Sequence, residues 1–163
     1  MRRGILIGIL LCMLLAVGYF LAGCKSENKN TLEGVWERVE GKFTIAGETI
    51  SPTQKAIKIF TKDHWAIIEQ EPNAQKFSSN PTDAELINAA KGFDAFYGTY
   101  TLEGETLTES VELAFNPNWI GHSVSFEVRW EGDQWIQTGT FPLKALGLGE
   151  NDEESYEVWK RIE

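Results

Sequence analysis

GTYTLEGETLTESVELA, residues 98–114, decides the fold. Two runs in which β-branched and aromatic residues alternate with polar ones, Phe96–Leu102 and Thr106–Ala114, stand on either side of Glu103-Gly104. Strand, tight turn and strand in that order make a hairpin. With a side-chain period of two, Leu107, Glu109, Val111 and Leu113 share one face of the second strand. A carboxylate therefore points wherever three apolar side chains point, and burying it without a partner is costly and raises its pKa. Either the apolar face is turned outward or Glu109 is paired inside.

The same signature recurs from Leu32 onward. Glu33–Glu40, Lys42–Ala46, Lys55–Phe60, Trp65–Gln70, Ser123–Trp130, Trp135–Thr140 and Glu154–Ile162 are further candidate strands, with turn signals at Ala46-Gly47 and Gly132-Asp133. So many short strands predict an all-β protein, an antiparallel up-and-down barrel of eight to ten strands, because closure removes the exposed edges of an open sheet. One segment departs from the pattern. Residues 80–92 offer a capping residue, Pro81 in the first turn, early acids, Lys91 and a closing Gly92, which predicts one short helix around residues 81–91. Leu86, Ile87 and Ala90 give it an apolar face to lay against the fold, either as a lid over an open barrel end or as a plain connection.

The N-terminus carries Arg2 and Arg3, an apolar segment from Ile5 to Phe20, and then Leu21-Ala22-Gly23-Cys24. These are the parts of a secretory signal, and the apolar run is short of the roughly 20 residues that a spanning helix needs. The last four residues resemble the bacterial lipobox, which implies cleavage before Cys24 and lipidation of its sulfur. The expected layout is a lipoprotein signal peptide over residues 1–23, a flexible polar tether over 24–30 and one barrel domain over 31–163. Cys12 leaves with the signal and Cys24 takes lipid, so the domain has no thiol for a disulfide, a nucleophile or a metal site. The mature chain keeps 140 residues (163 less 23), and losing Arg2 and Arg3 moves its formal charge from −9 to −11. That charge argues against nucleic acid as a partner. The membrane is the expected partner, through the lipid on Cys24. Lys25 stands where an aspartate would resemble an inner-membrane retention signal, so the expected place is the outer membrane of the cell envelope.

Gly34-Val35-Trp36 resembles the Gly-x-Trp opening of lipocalins, and Trp159-Lys160-Arg161 in the last strand resembles the source of their closing arginine. The stretch Gly98–Glu109 and Ile120-Gly121-His122 are similar to bacterial lipocalin-like domains found behind lipoprotein signals. The resemblance implies a calycin-type barrel that binds a small ligand, with Gly34, Trp36 and Arg161 closing one end by stacking a guanidinium on an indole.

Within such a barrel, period two places His122 with Val124, Phe126, Val128 and Trp130, while His64 opens a strand beside Trp65. Glu109, His64, His122, Tyr100, Phe126 and an arginine, Arg129 or Arg161, would together make a polar patch in an aromatic cavity, an arrangement that orients a small ligand. The competing reading has both histidines at strand ends, facing solvent or bonded to backbone. Trp119, in the turn Asn116–Gly121, is either a rim contact or a plug folded back over the mouth. No nucleophile elbow, zinc-peptidase motif or phosphate loop occurs, so no enzyme, metal or cofactor is expected. Two functions stand: a lipid-anchored barrel that binds a small, largely apolar molecule, or an envelope interaction module with a filled barrel whose loops 116–121 and 141–152 dock a protein.

Overall fold

A computed structural model describes residues 31–163; the segments expected to be a signal peptide and a tether, with Cys24, lie outside the described residues. The elements are β1 (Gly34–Ile45), β2 (Glu48–Ile50), β3 (Lys55–Phe60), β4 (His64–Gln70), the helix α1 (Asp83–Lys91), β5 (Phe93–Glu103), β6 (Thr106–Ala114), a 3-10 turn (Pro117–Trp119), β7 (Ser123–Glu131), β8 (Gln134–Phe141) and β9 (Glu153–Arg161). Strands β1 and β3 to β9 pair antiparallel in chain order, and β1 pairs again with β9, so eight strands close into a barrel. The short β2 is a ninth strand added to the far end of β1 by a tight turn at Ala46-Gly47.

The two opening strands read from the sequence are one. Register slips between Arg38 and Glu40, so Val39 bulges while β1 runs on through Gly41, pairing with β9 along nearly its whole length. A bulge bends a strand without ending it, and the bend lets the first half of β1 lie on β3 while its second half meets β2.

A second bulge changes which side chains look inward. Tyr97 pairs with Leu113 and Gly98 with Val111, leaving Glu112 unmatched. One extra residue flips the parity of everything beyond it. Leu107, Glu109 and Val111 face the interior, whereas Leu113 is 63% exposed on the outside, which corrects the expectation that all four share a face. Gly98 is what allows the bulge: a Cβ there would run into the Ser110 carbonyl.

The helix exists, with Thr82 as its N-cap and a full capping box to Glu85; Pro81 lies before the cap rather than in the first turn. Its expected apolar face does not pack. Leu86, Ile87 and Ala90 are all exposed. The sheet explains this: β4 and β5 pair out to Gln70 and Phe93, and the Glu71 N–H donates to the Gly92 carbonyl. Residues 71–92 are therefore an excursion beyond the end of a paired hairpin, and two bulky apolar residues make too narrow a stripe to hold a helix down.

Candidate functional site

The barrel interior has two unlike halves. At the end where β1 begins, Trp36 lies 5.9 Å from both Trp130 and Trp135, Trp135 stacks on Trp159 at 5.9 Å, and Phe60 sits edge-on to Trp135 and Tyr100. Arg161 covers this packing from below, its guanidinium carbon 4.2 Å from the Trp36 ring and one nitrogen donating to the Glu33 carbonyl at 2.6 Å. The Trp36 indole donates to the Leu32 carbonyl at 2.7 Å. Gly34 has φ +138°, and a Cβ there would overlap the Arg161 guanidinium. The structure thus brings together Gly34, Trp36 and Arg161 at one barrel end. Aromatic side chains leave little space for anything else there.

Two residues further along each strand the interior becomes charged. Ala56, Lys58 and Phe60 share an inward face, as do Trp135 with Gln137, Glu157 with Trp159, and Leu107 with Glu109. Lys58 Nζ donates to both Glu109 oxygens, at 2.9 and 3.2 Å, and to Gln137 Oε1 at 3.2 Å. Gln137 turns its amide nitrogen the other way, donating to Glu157. Glu157 also accepts from Arg38 at 2.9 Å, and Arg38 grips Glu69 through both terminal nitrogens, at 2.9 and 3.3 Å. The Gln54 carbonyl takes another Arg38 donor at 3.2 Å. A single chain of hydrogen bonds, Glu109, Lys58, Gln137, Glu157, Arg38 and Glu69, crosses the barrel. Five aromatic rings, those of Phe60, Trp65, Phe126, Trp135 and Trp159, surround the Lys58 ammonium at 5.0 to 5.8 Å. That distance is within cation–π range.

Three carboxylates face two cations in this layer, and burial outweighs the help that the cations give. Burial pushes the Glu109 carboxyl up despite Lys58, and pushes Glu69 up despite Arg38, with the Glu157 charge adding to both.

Beyond the ion layer the barrel opens. A half-open cavity of about 530 Å³ has Lys58, Glu109, Gln137, Glu157 and Glu69 at its deep end and Trp65, Phe96, Trp119, Phe126 and Phe141 among its walls. Asp94, Glu153 and Lys91 stand nearer the mouth. Burial raises the carboxyls of Asp94 and Glu153, and the charges of Glu157 and Glu69 raise Glu153 further. Two loops lean over this end: Asn118 in the 3-10 turn donates to the Leu146 carbonyl at 3.1 Å, and Leu143 and Leu148 line the cavity. Trp119 is folded back into the barrel, edge-on to Phe96 and Phe141.

Of the residues read from the sequence as ligand contacts, the cavity gathers Glu109, Trp119 and Phe126. Glu109 is paired inside. The other four lie elsewhere, and strand parity or position explains each. His64 precedes the inward Trp65, so it projects outward, stacks on Tyr97 and bonds Asp63 at 2.7 Å. His122 falls before β7 starts and is exposed. Arg129 occupies an outward position of β7 and pairs with Glu131 at 3.4 Å. Tyr100 belongs to the closed half, its hydroxyl donating to the Thr61 carbonyl at 2.9 Å. The sequence reading missed Arg38, Lys58, Glu69, Gln137 and Glu157. The signal that marked Glu109 was present for most of them: each sits two residues from an inward aromatic or aliphatic side chain, as Glu157 does from Trp159.

A family model described as a lipocalin-like domain matches residues 59–162. Among solved structures, a lipocalin-like protein from Bacteroides uniformis is 12% identical, covering 80% of this chain and 98% of its own, with a TM-score of 0.47. An uncharacterized protein from Bacteroides eggerthii is also 12% identical, covering 81% and 100%, with a TM-score of 0.44. An uncharacterized yeast protein, from Saccharomyces cerevisiae, is 17% identical over 79% of this chain and 53% of its own, with a TM-score of 0.48. No curated protein matches. With the match spanning more than half of its length, the chain belongs to the family of lipocalin-like domains.

Proposed function

We propose that this protein is a non-enzymatic binding module that holds one small amphiphilic molecule in the open half of its barrel, and that lipid on Cys24 keeps it at the membrane of the cell envelope. The observation that carries the first part is the cavity. Its volume of about 530 Å³ falls within the range typical of small-molecule sites, and apolar walls with a few convergent polar groups are the usual composition of such sites.

The ion layer supports the same reading. Taking charges out of water costs several kcal/mol per ion, and well-packed apolar residues in place of a buried ion pair are often as stabilising or more so. A barrel selected for stability alone could carry its aromatic packing through to the mouth. Instead the charged layer marks the depth at which a ligand's apolar body would stop and its polar end would be met.

The test is dye binding. Nile red, a neutral probe, titrated into the full-length protein in lipid nanodiscs with empty nanodiscs as the blank, should show one saturable site. Val111→Trp and Val124→Trp, which place indoles in the cavity walls, should remove it while the thermal transition stays cooperative. Absence of a saturable site in the unmodified protein would overturn the reading. For the anchor, Cys24→Ala should abolish incorporation of a labelled fatty acid and shift the chain out of the membrane fraction; continued labelling would contradict it.

A further inference from the structure

The cavity carries more acids than bases in its lining. Five acids line it, Glu69, Asp94, Glu109, Glu153 and Glu157, against Lys58 and Lys91; adding Arg38 behind the wall still leaves two negative charges. The inner cations are also occupied. Lys58 has three N–H donors and makes three hydrogen bonds, all to Glu109 and Gln137. Arg38 commits both terminal nitrogens to Glu69, Glu157 and the Gln54 carbonyl. An entering carboxylate would find the Lys58 ammonium and both terminal nitrogens of Arg38 already engaged at the deep end.

The acids are in the opposite condition. A carboxylate oxygen accepts more than one hydrogen bond, so Glu109 and Glu157 keep acceptor capacity after pairing. The Glu153 residue is half-buried at the mouth and its carboxylate has no side-chain hydrogen bond or ion pair among the described residues, while the Asp94 carboxylate accepts only the Ala95 N–H at 2.8 Å. Between mouth and deep end the walls are ring faces, those of Trp65, Phe96, Trp119, Phe126 and Phe141. A desolvated cation is drawn to such faces. The chain solves the same problem once already, since Lys58 is an alkyl ammonium held by two carboxylate oxygens and five rings.

We infer that the ligand class of this cavity is a cationic amphiphile, an aliphatic or aromatic amine whose ammonium sits among Asp94, Glu153 and the outer oxygens of the ion layer while its apolar body lies against the aromatic walls. This rests on the reading of the cavity as a ligand site. Carboxylate amphiphiles, which share the apolar body, are disfavoured by the same charges that admit the amine.

A chain-matched series tests it. Decylamine, decanol and decanoate are titrated as competitors of Nile red on the full-length protein in nanodiscs at neutral pH, each corrected with empty nanodiscs. Decylamine should displace the dye with at least tenfold higher affinity than decanol, and decanoate should be the weakest. In the double variant Asp94→Asn with Glu153→Gln the preference for decylamine over decanol should fall at least threefold while decanol is unchanged. Decanol or decanoate displacing as well as the amine, or none of the three displacing a dye that itself binds, overturns the charge preference and leaves the ligand site standing. Failure of Nile red to bind removes the ligand site and the inference with it.

Discussion

The two halves of the barrel interior are built from the same strands, two residues apart, yet they perform opposite tasks. Below the ion layer, Trp36, Trp135 and Trp159 are essentially inaccessible and pack ring on ring. Above it, Trp65, Trp119 and Phe126 are equally aromatic but face about 530 Å³ of open volume. The closed half supplies stability through contact, and the open half forgoes that contact; on the function proposed above, a ligand takes its place. Aromatic content is thus not the discriminating feature. What separates the halves is a plane of charge centred on Lys58.

The largest effect that would sharpen this contrast is on the closed half. Trp135→Ala should cost about 3–5 kcal/mol of unfolding free energy by urea titration, because a fully buried indole leaves a cavity that the neighbouring rings cannot refill. Trp119→Ala, at the boundary of an existing cavity, should cost clearly less and instead weaken dye binding. Equal losses from the two would erase the distinction.

Next comes the plane itself. Lys58→Met removes the ammonium but leaves Glu109 buried without its partner, and the expected loss is about 3 kcal/mol or more. Adding Glu109→Leu to that variant should recover much of the loss, since it is the stranded charge, and not the missing pair, that costs most. If the double variant is no more stable than Lys58→Met, the layer contributes to stability more than a ligand site requires.

Arg161→Ala is the milder test of the closed end. It takes away a guanidinium over Trp36 and a hydrogen bond to the Glu33 carbonyl, a partly exposed arrangement worth about 1–2 kcal/mol. Dye affinity should not change, because the cavity lies at the other end.

The weakest lever is pH, and its sign belongs to the open half. Glu69, Glu109, Asp94 and Glu153 hold a proton more tightly in the folded state than at their ordinary values of 4.5 and 3.8. Each therefore contributes stability that is fully present below its unfolded value and is lost as pH rises through its raised folded value. Glu85, held down by the Thr82 and Ser78 hydrogen bonds at the helix cap, works in reverse, its contribution present above 4.5 and lost below it. Unfolding free energy should accordingly increase between pH 7 and pH 5, and Asp94→Asn with Glu153→Gln should reduce that increase. A decrease over the same range would mean that the acids of the open half are better compensated than the buried geometry indicates.

Much of this molecule was legible in its residues, and the limits of that legibility are physical. The hairpin at 98–114 announced itself because alternation and a glycine turn are local signals, and the barrel followed from repeating them. Closure by Arg161 over Trp36 could be anticipated from the resemblance of Gly34-Val35-Trp36 and Trp159-Lys160-Arg161 to the opening and closing residues of lipocalins, in the first and last strands. The interior charges were harder. Period two assigns side chains to two faces but does not say which is inside, so Lys58, flanked by Ile57 and Ile59 as well as by Ala56 and Phe60, reads equally well either way. Glu109 was singled out because its own face was otherwise apolar. The bulges at Val39 and Glu112 lie beyond local pattern altogether, and the second put Leu113 outside. For His64 and His122 the residues left two readings open, cavity or solvent, and the structure has the second: one position along a strand decides between them, and both stand at strand boundaries, where an uncertainty of one residue is unavoidable.

Fluorine NMR of the protein labelled with 5-fluorotryptophan compares the two halves in one spectrum. On titration with Nile red, the resonances of Trp65 and Trp119, assigned by single replacement with phenylalanine, should shift saturably, while those of Trp36, Trp135 and Trp159 stay in place. Shifts confined to the closed-end tryptophans, or a spectrum unchanged at saturating dye, would contradict the claim that the barrel is packed at one end and receptive at the other.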